Sequence, residues 1–146
     1  MNPHPASILV VDDNQGLARL IQKVLEREAF SAVVQHSGNA AIAWLRQNPV
    51  DLMLLDLKLP DIGGKELVDH LASVGRTVPF IIITGQGDER AAVEMMKRGA
   101  LDYVVKDTQF IELVPAIVQR ALTQMATERK LTETEAALGK SEALKQ

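Results

Sequence analysis

ILVVDDN, residues 8–14, decides how the chain is read. Its first four residues are apolar without alternation, and most are β-branched, which suits a strand covered on both faces. Two aspartates and an asparagine follow at once. The same design recurs downstream. Leu52–Leu55 is followed by Asp56, Phe80–Ile83 by Thr84 and Gly85, and Tyr103–Val105 by Lys106. A weaker run, Ala32–Gln35, lies between the first and second of these.

Segments of helical period separate the runs. Leu17, Leu20, Ile21, Val24 and Leu25 fall on one helical face. Ala40, Ile42, Ala43 and Leu45 belong to a second helix, Leu67, Val68 and Leu71 to a third, Val93 and Met96 to a fourth. A fifth begins near Leu113 and carries Ile117, Val118, Ala121 and Leu122. Five strand–helix alternations imply an α/β fold with a doubly wound parallel sheet. Such sheets place their sites at the C-terminal ends of strands. The residues just after each apolar run therefore matter most.

Composition narrows the function classes. With 146 residues there is room for one ordinary domain, and 47% hydrophobic content supplies its core. A net charge of −3 and no clustered Lys/Arg argue against direct nucleic-acid binding. There is no cysteine, hence no disulfide and no thiolate metal site. Residues 1–6 read as an N-terminal tail without signal-peptide character, and no apolar run is long enough to span a membrane. A cytoplasmic location is expected. His4, His36 and His70 show no metal-ligand spacing. Trp44, Met95 and Met96 read as packing residues.

Taken singly, each strand-end residue is ordinary. Asp13 or Asn14 suits a helix N-cap, Asp56 an Asx turn, Thr84 a turn, and Lys106 a solvated end. Together they place Asp12, Asp13, Asp56, Thr84 and Lys106 at one sheet edge. Three carboxylates so close disfavour joint ionisation unless something compensates, and an oxygen-loving divalent cation is the simplest answer. An acidic DDNQG segment argues against a flavin or nucleotide phosphate loop. A haloacid-dehalogenase-type phosphatase needs an aspartate two residues after the nucleophile, where this chain has Lys58.

The stretches ILVVDDN, LMLLDLKLPDIGG, PFIIITGQGD and GALDYVVKD resemble the receiver domain of bacterial two-component response regulators. The resemblance spans residues 7 to about 122. It implies a flavodoxin-like (βα)5 sheet of strand order 2-1-3-4-5 and a signalling switch that assists its own phosphorylation rather than an enzyme with a separate substrate. Asp56 matches the phosphoacceptor, taking its phosphoryl group from a sensor histidine kinase or a histidine phosphotransfer protein. Asp13, Asp56 and the Lys58 carbonyl match direct ligands of Mg²⁺ (or Mn²⁺), with Asp12 acting mainly through a metal-bound water. Lys106 matches the phosphoryl-pairing lysine, Thr84 the switch hydroxyl, and Tyr103 the aromatic that swings inward with it. The expected output surface is helix four, strand five and helix five, which with the C-terminal helix is also the expected homodimer surface. A pseudo-receiver used only for docking is the alternative.

The sequence departs from the family pattern after the active-site lysine. Receivers typically carry a cis Lys–Pro bond there, whereas Asp107 follows Lys106 here. A cis Lys106–Asp107 bond is expected, since Lys106 must still reach Asp56, although it costs about 2.5–4 kcal/mol. A trans bond with a rebuilt loop is the alternative. Lys58 and Gln86 occupy positions that tune acyl-phosphate lifetime in the family. Pro115 is tolerated only in a first helical turn, so helix five should start near Val114.

The receiver is expected over residues 7–125, with residues 126–146 as a helical linker toward an output domain. LVPAIVQRAL and ERKLTETEAALGKSEAL resemble the joint between receivers and PAS sensory domains. Leu131 and Leu138 are a heptad apart, but Gln124 breaks the phase. Gly139 weakens the helix, whose last residues are expected to fray. A disordered tail is the alternative.

Overall fold

β-branched runs and helical segments alternate through the computed structural model, which describes residues 5–145, with side chains to residue 136. The order is β1 (Ser7–Val11), α1 (Gln15–Arg27), β2 (Ser31–Gln35), α2 (Gly38–Leu45), β3 (Leu52–Asp56), α3 (Gly64–Ser73), β4 (Phe80–Thr84), α4 (Glu89–Lys97), β5 (Asp102–Val105) and α5 (Phe110–Lys145). Two compact units are distinguished, Met1–Pro115 and Ala116–Gln146. Of the expected tail at 1–6, only Pro5 and Ala6 fall within the described residues. No helix among the described residues is long and apolar enough to cross a membrane.

The sheet is parallel throughout, in the order β2-β1-β3-β4-β5. It explains the sequence pattern directly. β1, β3 and β4 are interior strands, and their runs are buried along almost their whole length. β2 is an edge strand with an exposed or half-buried pattern, which is why its apolar signal is weak. Leu9, Val11, Met53, Leu55 and Ile82 face a core shared with Ala41 and Leu45 of α2, Leu67 and Leu71 of α3, and Met95 of α4. Each large aliphatic side chain buried this way contributes about 1.5–3 kcal/mol.

Register sets the functional edge. Val11 pairs with Leu55, Asp56 with Ile83, and Thr84 with Val105. The four strand ends therefore stand within one residue of level. The connections run in opposite directions on the two sides of the β1–β3 pair, so a crevice opens above these strands.

The loop after β3 is tied to α2. Asp61 accepts the backbone N–H groups of Gly38 at 2.9 Å, Asn39 at 2.7 Å and Ile62 at 2.9 Å. These bonds, that from Asn39 foremost, hold its carboxyl below the ordinary carboxylate value. Ser37 completes the cap by accepting from Ala40 N–H. At the other end of α2, Arg76 donates to the carbonyls of Leu45 and Asn48. Gly64 opens α3 where a Cβ would come within 3.3 Å of the Asp56 carbonyl oxygen and Leu57 Cα, so the helix needs glycine to start this close to β3.

Three expectations about helices change. Leu20 is 51% exposed, and α1 buries Ala18 beside the expected Ile21 and Leu25. α4 buries Ala92 and Met95 and leaves Val93 and Met96 exposed, so its inward face is turned by one residue. Ala92 is fully buried but small, so a count of large apolar residues misses it. Helix five starts at Phe110, not near Val114, and contains Pro115. The Asp107 carboxylate accepts Gln109 N–H, and Leu113 N–H reaches the Gln109 carbonyl, which starts the helix early. Pro115 then sits just beyond the first turn, where it withholds one N–H.

Within the second unit the backbone is helical through Gly139 to Lys145, and Thr132 and Thr134 donate to the Glu128 and Lys130 carbonyls. The disordered-tail alternative does not hold for these residues. The heptad partner Leu138 lies beyond the described side chains, and the expected fraying includes Gln146, which lies outside the described residues.

Candidate phosphoacceptor site

Asp56 is the last residue of β3 and is 6% exposed. Its Oδ1 accepts Lys58 N–H at 3.0 Å, an Asx turn. Its Oδ2 accepts from Lys106 Nζ at 2.9 Å. Asp12, directly after β1, is fully buried, and its Oδ1 accepts Asn14 N–H at 2.9 Å. Asp12 Oδ2 lies 3.1 Å from Lys106 Nζ, but no well-aimed hydrogen bond satisfies it. Asp13 is exposed beside them. Asn14, not Asp13, caps α1 by accepting Leu17 N–H.

Electrostatics here follow from burial. Removal from water pushes the Asp12 carboxyl above its ordinary value. The Asn14 N–H opposes that rise, the Asp56 charge adds to it, and Lys106 opposes it. For Lys106, burial alone would lower the ammonium value. The hydrogen bonds and charges of Asp56 and Asp12 outweigh burial and raise it. One cation thus serves two inward carboxylates, and the cluster keeps an excess of negative charge.

Asp12, Asp13 and Asp56 each offer one carboxylate oxygen, and these oxygens lie within 4.8 Å of one another. The donor set is oxygen only, and one buried oxygen lacks a hydrogen bond. Both properties fit a hard divalent cation. The structure therefore brings together four of the residues singled out from sequence: Asp12, Asp13, Asp56 and Lys106. Lys58 joins them through its backbone.

Thr84 ends β4 and is fully buried. Its hydroxyl donates to the Gly85 carbonyl at 3.2 Å and lies 3.5 Å from that of Asp88. Tyr103 on β5 is 37% exposed and stands at the surface.

The expected cis Lys106–Asp107 bond is absent, as no cis peptide occurs among the described residues. Lys106 reaches Asp56 from a trans chain because register already sets Val105 beside Thr84, and Lys106 N–H donates to the Thr84 carbonyl at 2.8 Å. Asp107 uses the N–H that a proline would lack, donating to the Val105 carbonyl at 2.8 Å. Sequence reasoning also missed three contacts. They are the Asp61 cap, the Lys58–Asp88 ion pair at 3.2 Å, and His36 Nδ1 at 3.0 Å from the Asp12 carbonyl oxygen. All join residues far apart in the chain, with no local spacing to signal them.

A doubly wound parallel sheet of this order, with an acid cluster and a lysine at the β1–β3 crevice, defines the class of α/β protein whose site lies at the strand ends. The family description "Response regulator receiver domain" matches residues 8–118, and the chain belongs to this family. It is 34% identical over 138 residues to the response regulator ArlR of Staphylococcus saprophyticus, covering 94% of this chain and 61% of that protein. It is 32% identical over 111 residues to the transcriptional regulatory protein FixJ of Rhizobium meliloti, covering 74% and 54%. The chain thus spans only part of these relatives. Among solved structures, FIXJ-N superposes with a TM-score of 0.70 at 29% identity, over 84% of this chain and 96% of that one. A response regulator receiver domain from Clostridium thermocellum gives 0.72 at 26%, over 87% and 98%.

Proposed function

We propose that Asp56 accepts a phosphoryl group from a phosphohistidine on a sensor kinase or phosphotransfer protein. The observation that carries this reading is Lys106 Nζ, held 2.9 Å from Asp56 Oδ2 and 3.1 Å from Asp12 Oδ2 at the strand-end crevice. An Asp56 oxygen attacks phosphorus, the donor's P–N bond breaks, and the electron pair leaves with the imidazole nitrogen. Lys58 N–H and Lys106 fix the carboxylate's orientation, so little freedom is lost on reaching the transition state. Lys106 also offsets charge on the incoming phosphoryl oxygens. Asp12, Asp13, Asp56 and the Lys58 carbonyl would hold Mg²⁺ or Mn²⁺, which supplies the remaining charge neutralisation.

Incubation with Mg²⁺ and acetyl phosphate should add one phosphoryl mass, mapped by peptide analysis to Asp56 and lost on chelation. No adduct, or one mapped elsewhere, overturns the reading.

The acyl phosphate then draws the Thr84 hydroxyl inward, and Tyr103 follows into the space it leaves. The change reaches a face where Val93, Met96, Tyr103 and Leu113 are 50%, 39%, 37% and 45% exposed. That face supports homodimerisation, and Leu131 at 57% exposure gives the C-terminal helix a second contact. Residues 126–146 act as the linker to an output region, of PAS type on the sequence likeness. Sedimentation of the full chain with and without beryllofluoride, against a version ending at Met125, tests assembly. Equal monomeric mass in every sample removes both dimer surfaces.

A further inference from the structure

Asp88 directly precedes α4, in the N-cap position, yet its side chain makes no capping hydrogen bond. Its backbone, at φ −102° and ψ 22°, is not the extended form that capping requires. Glu89 reaches back to Gly87 N–H at 3.3 Å instead. The Asp88 carboxylate is engaged elsewhere, 3.2 Å from Lys58 Nζ. That ion pair joins the loop after β3 to the loop after β4, across the mouth of the site. The Asp88 carbonyl is approached by the Thr84 hydroxyl at 3.5 Å.

Two side chains that approach Asp88, those of Lys58 and Thr84, belong to residues beside Asp56. Lys58 N–H binds Asp56 Oδ1, and Thr84 stands one residue beyond Ile83, the register partner of Asp56. A phosphoryl group on Asp56 brings a charge of about −2 and strong acceptor oxygens. It competes with Asp88 for the Lys58 ammonium and with the Gly85 carbonyl for the Thr84 hydroxyl. Lys58 is 78% exposed on its side chain, so solvent leaves it free to change partner.

We propose that Asp88 is a positioning residue that holds Lys58 across the mouth while Asp56 is unphosphorylated. Phosphorylation transfers Lys58 to the phosphoryl oxygens and frees the Asp88 carboxylate to cap the first turn of α4. Occupancy of Asp56 is thereby converted into order at the start of the helix that carries Val93 and Met96. This inference rests on Asp56 being the phosphoacceptor.

Beryllofluoride with Mg²⁺, titrated calorimetrically into the full chain, tests it. Asp88→Asn removes the charge but keeps a good N-cap residue. At low salt it should bind beryllofluoride about two- to fivefold tighter than wild type, the value of an exposed ion pair that no longer has to break. The gain should shrink as ionic strength rises. It should vanish when Asp88→Asn is made in a Lys58→Gln background. Asp88→Ala, which also loses the cap, should bind more weakly than Asp88→Asn. Wild-type affinity in Asp88→Asn, or an equal gain without Lys58, overturns the proposal while leaving the phosphoacceptor reading intact. Failure of wild type to bind at all overturns both.

Discussion

Asp56→Asn is expected to take up no phosphoryl group from acetyl phosphate and Mg²⁺ under conditions that label the wild type. The loss is chemical rather than structural. An amide oxygen in this position is not the nucleophile a carboxylate is, yet the side chain keeps its shape and can still accept Lys58 N–H, the bond that orders the turn after β3. Removing the charge also relieves Asp12, whose carboxyl is raised in part by Asp56, so Asp12 should titrate lower in the variant. Stability in metal-free buffer should stay within about 1 kcal/mol of wild type. Intact-mass measurement and a thermal melt check the two halves separately. A full-strength adduct on the variant would move the acceptor to another residue, with Asp12 and Asp13 the nearest carboxylates.

Lys106→Ala should fail in both respects. Phosphorylation should slow by about 10²–10³-fold, the usual cost of removing one preorganised electrostatic partner. Stability should fall as well, because Asp12 and Asp56 are left facing one another without their shared cation. Breaking a fully buried pair costs about 3–5 kcal/mol. Lys106 is 25% exposed, so about 2 kcal/mol is expected, a drop in Tm of roughly 6–12 °C. In wild type the raised Lys106 value makes its contribution fully present below 10.5 and lost as pH climbs through the folded value. Asp12 acts with the same sign in a lower pH window. Its folded value is raised above 3.8, so the native state binds the extra proton and stability falls as pH rises from 3.8 through the folded value. Without Lys106 that fall should steepen, and the deficit against wild type should close on acidification. Melts across pH 3–8, run with and without Mg²⁺, decide the matter. A deficit independent of pH would trace the loss to packing of the lysine stem instead.

The sheet was legible because interior parallel strands demand apolar residues on both faces, and β1, β3 and β4 have them. The edge position of β2 explains its faint signal. The acidic cluster was legible for a related reason. Strand order and register convert residues that follow separate apolar runs into neighbours. Helix faces were less legible. On α4 the inward residue is Ala92, too small to stand out beside Val93. The early start of α5 was hidden by giving Pro115 more weight than the Asp107 turn. Physical reach misled at Lys106, where a trans chain suffices because Lys106 N–H is bonded to the Thr84 carbonyl. The Lys58–Asp88 pair and the Asp61 cap depend on which loops meet, and only the folded chain supplies that.

α2 is anchored at both of its ends. Asp61 grips its first turn from the loop before α3, and Arg76 grips its last from the loop after α3. Neither grip involves Thr84, Lys106 or α4. α2 is therefore fastened at both ends to the loops that flank α3, and it cannot slide along the sheet without breaking bonds to both.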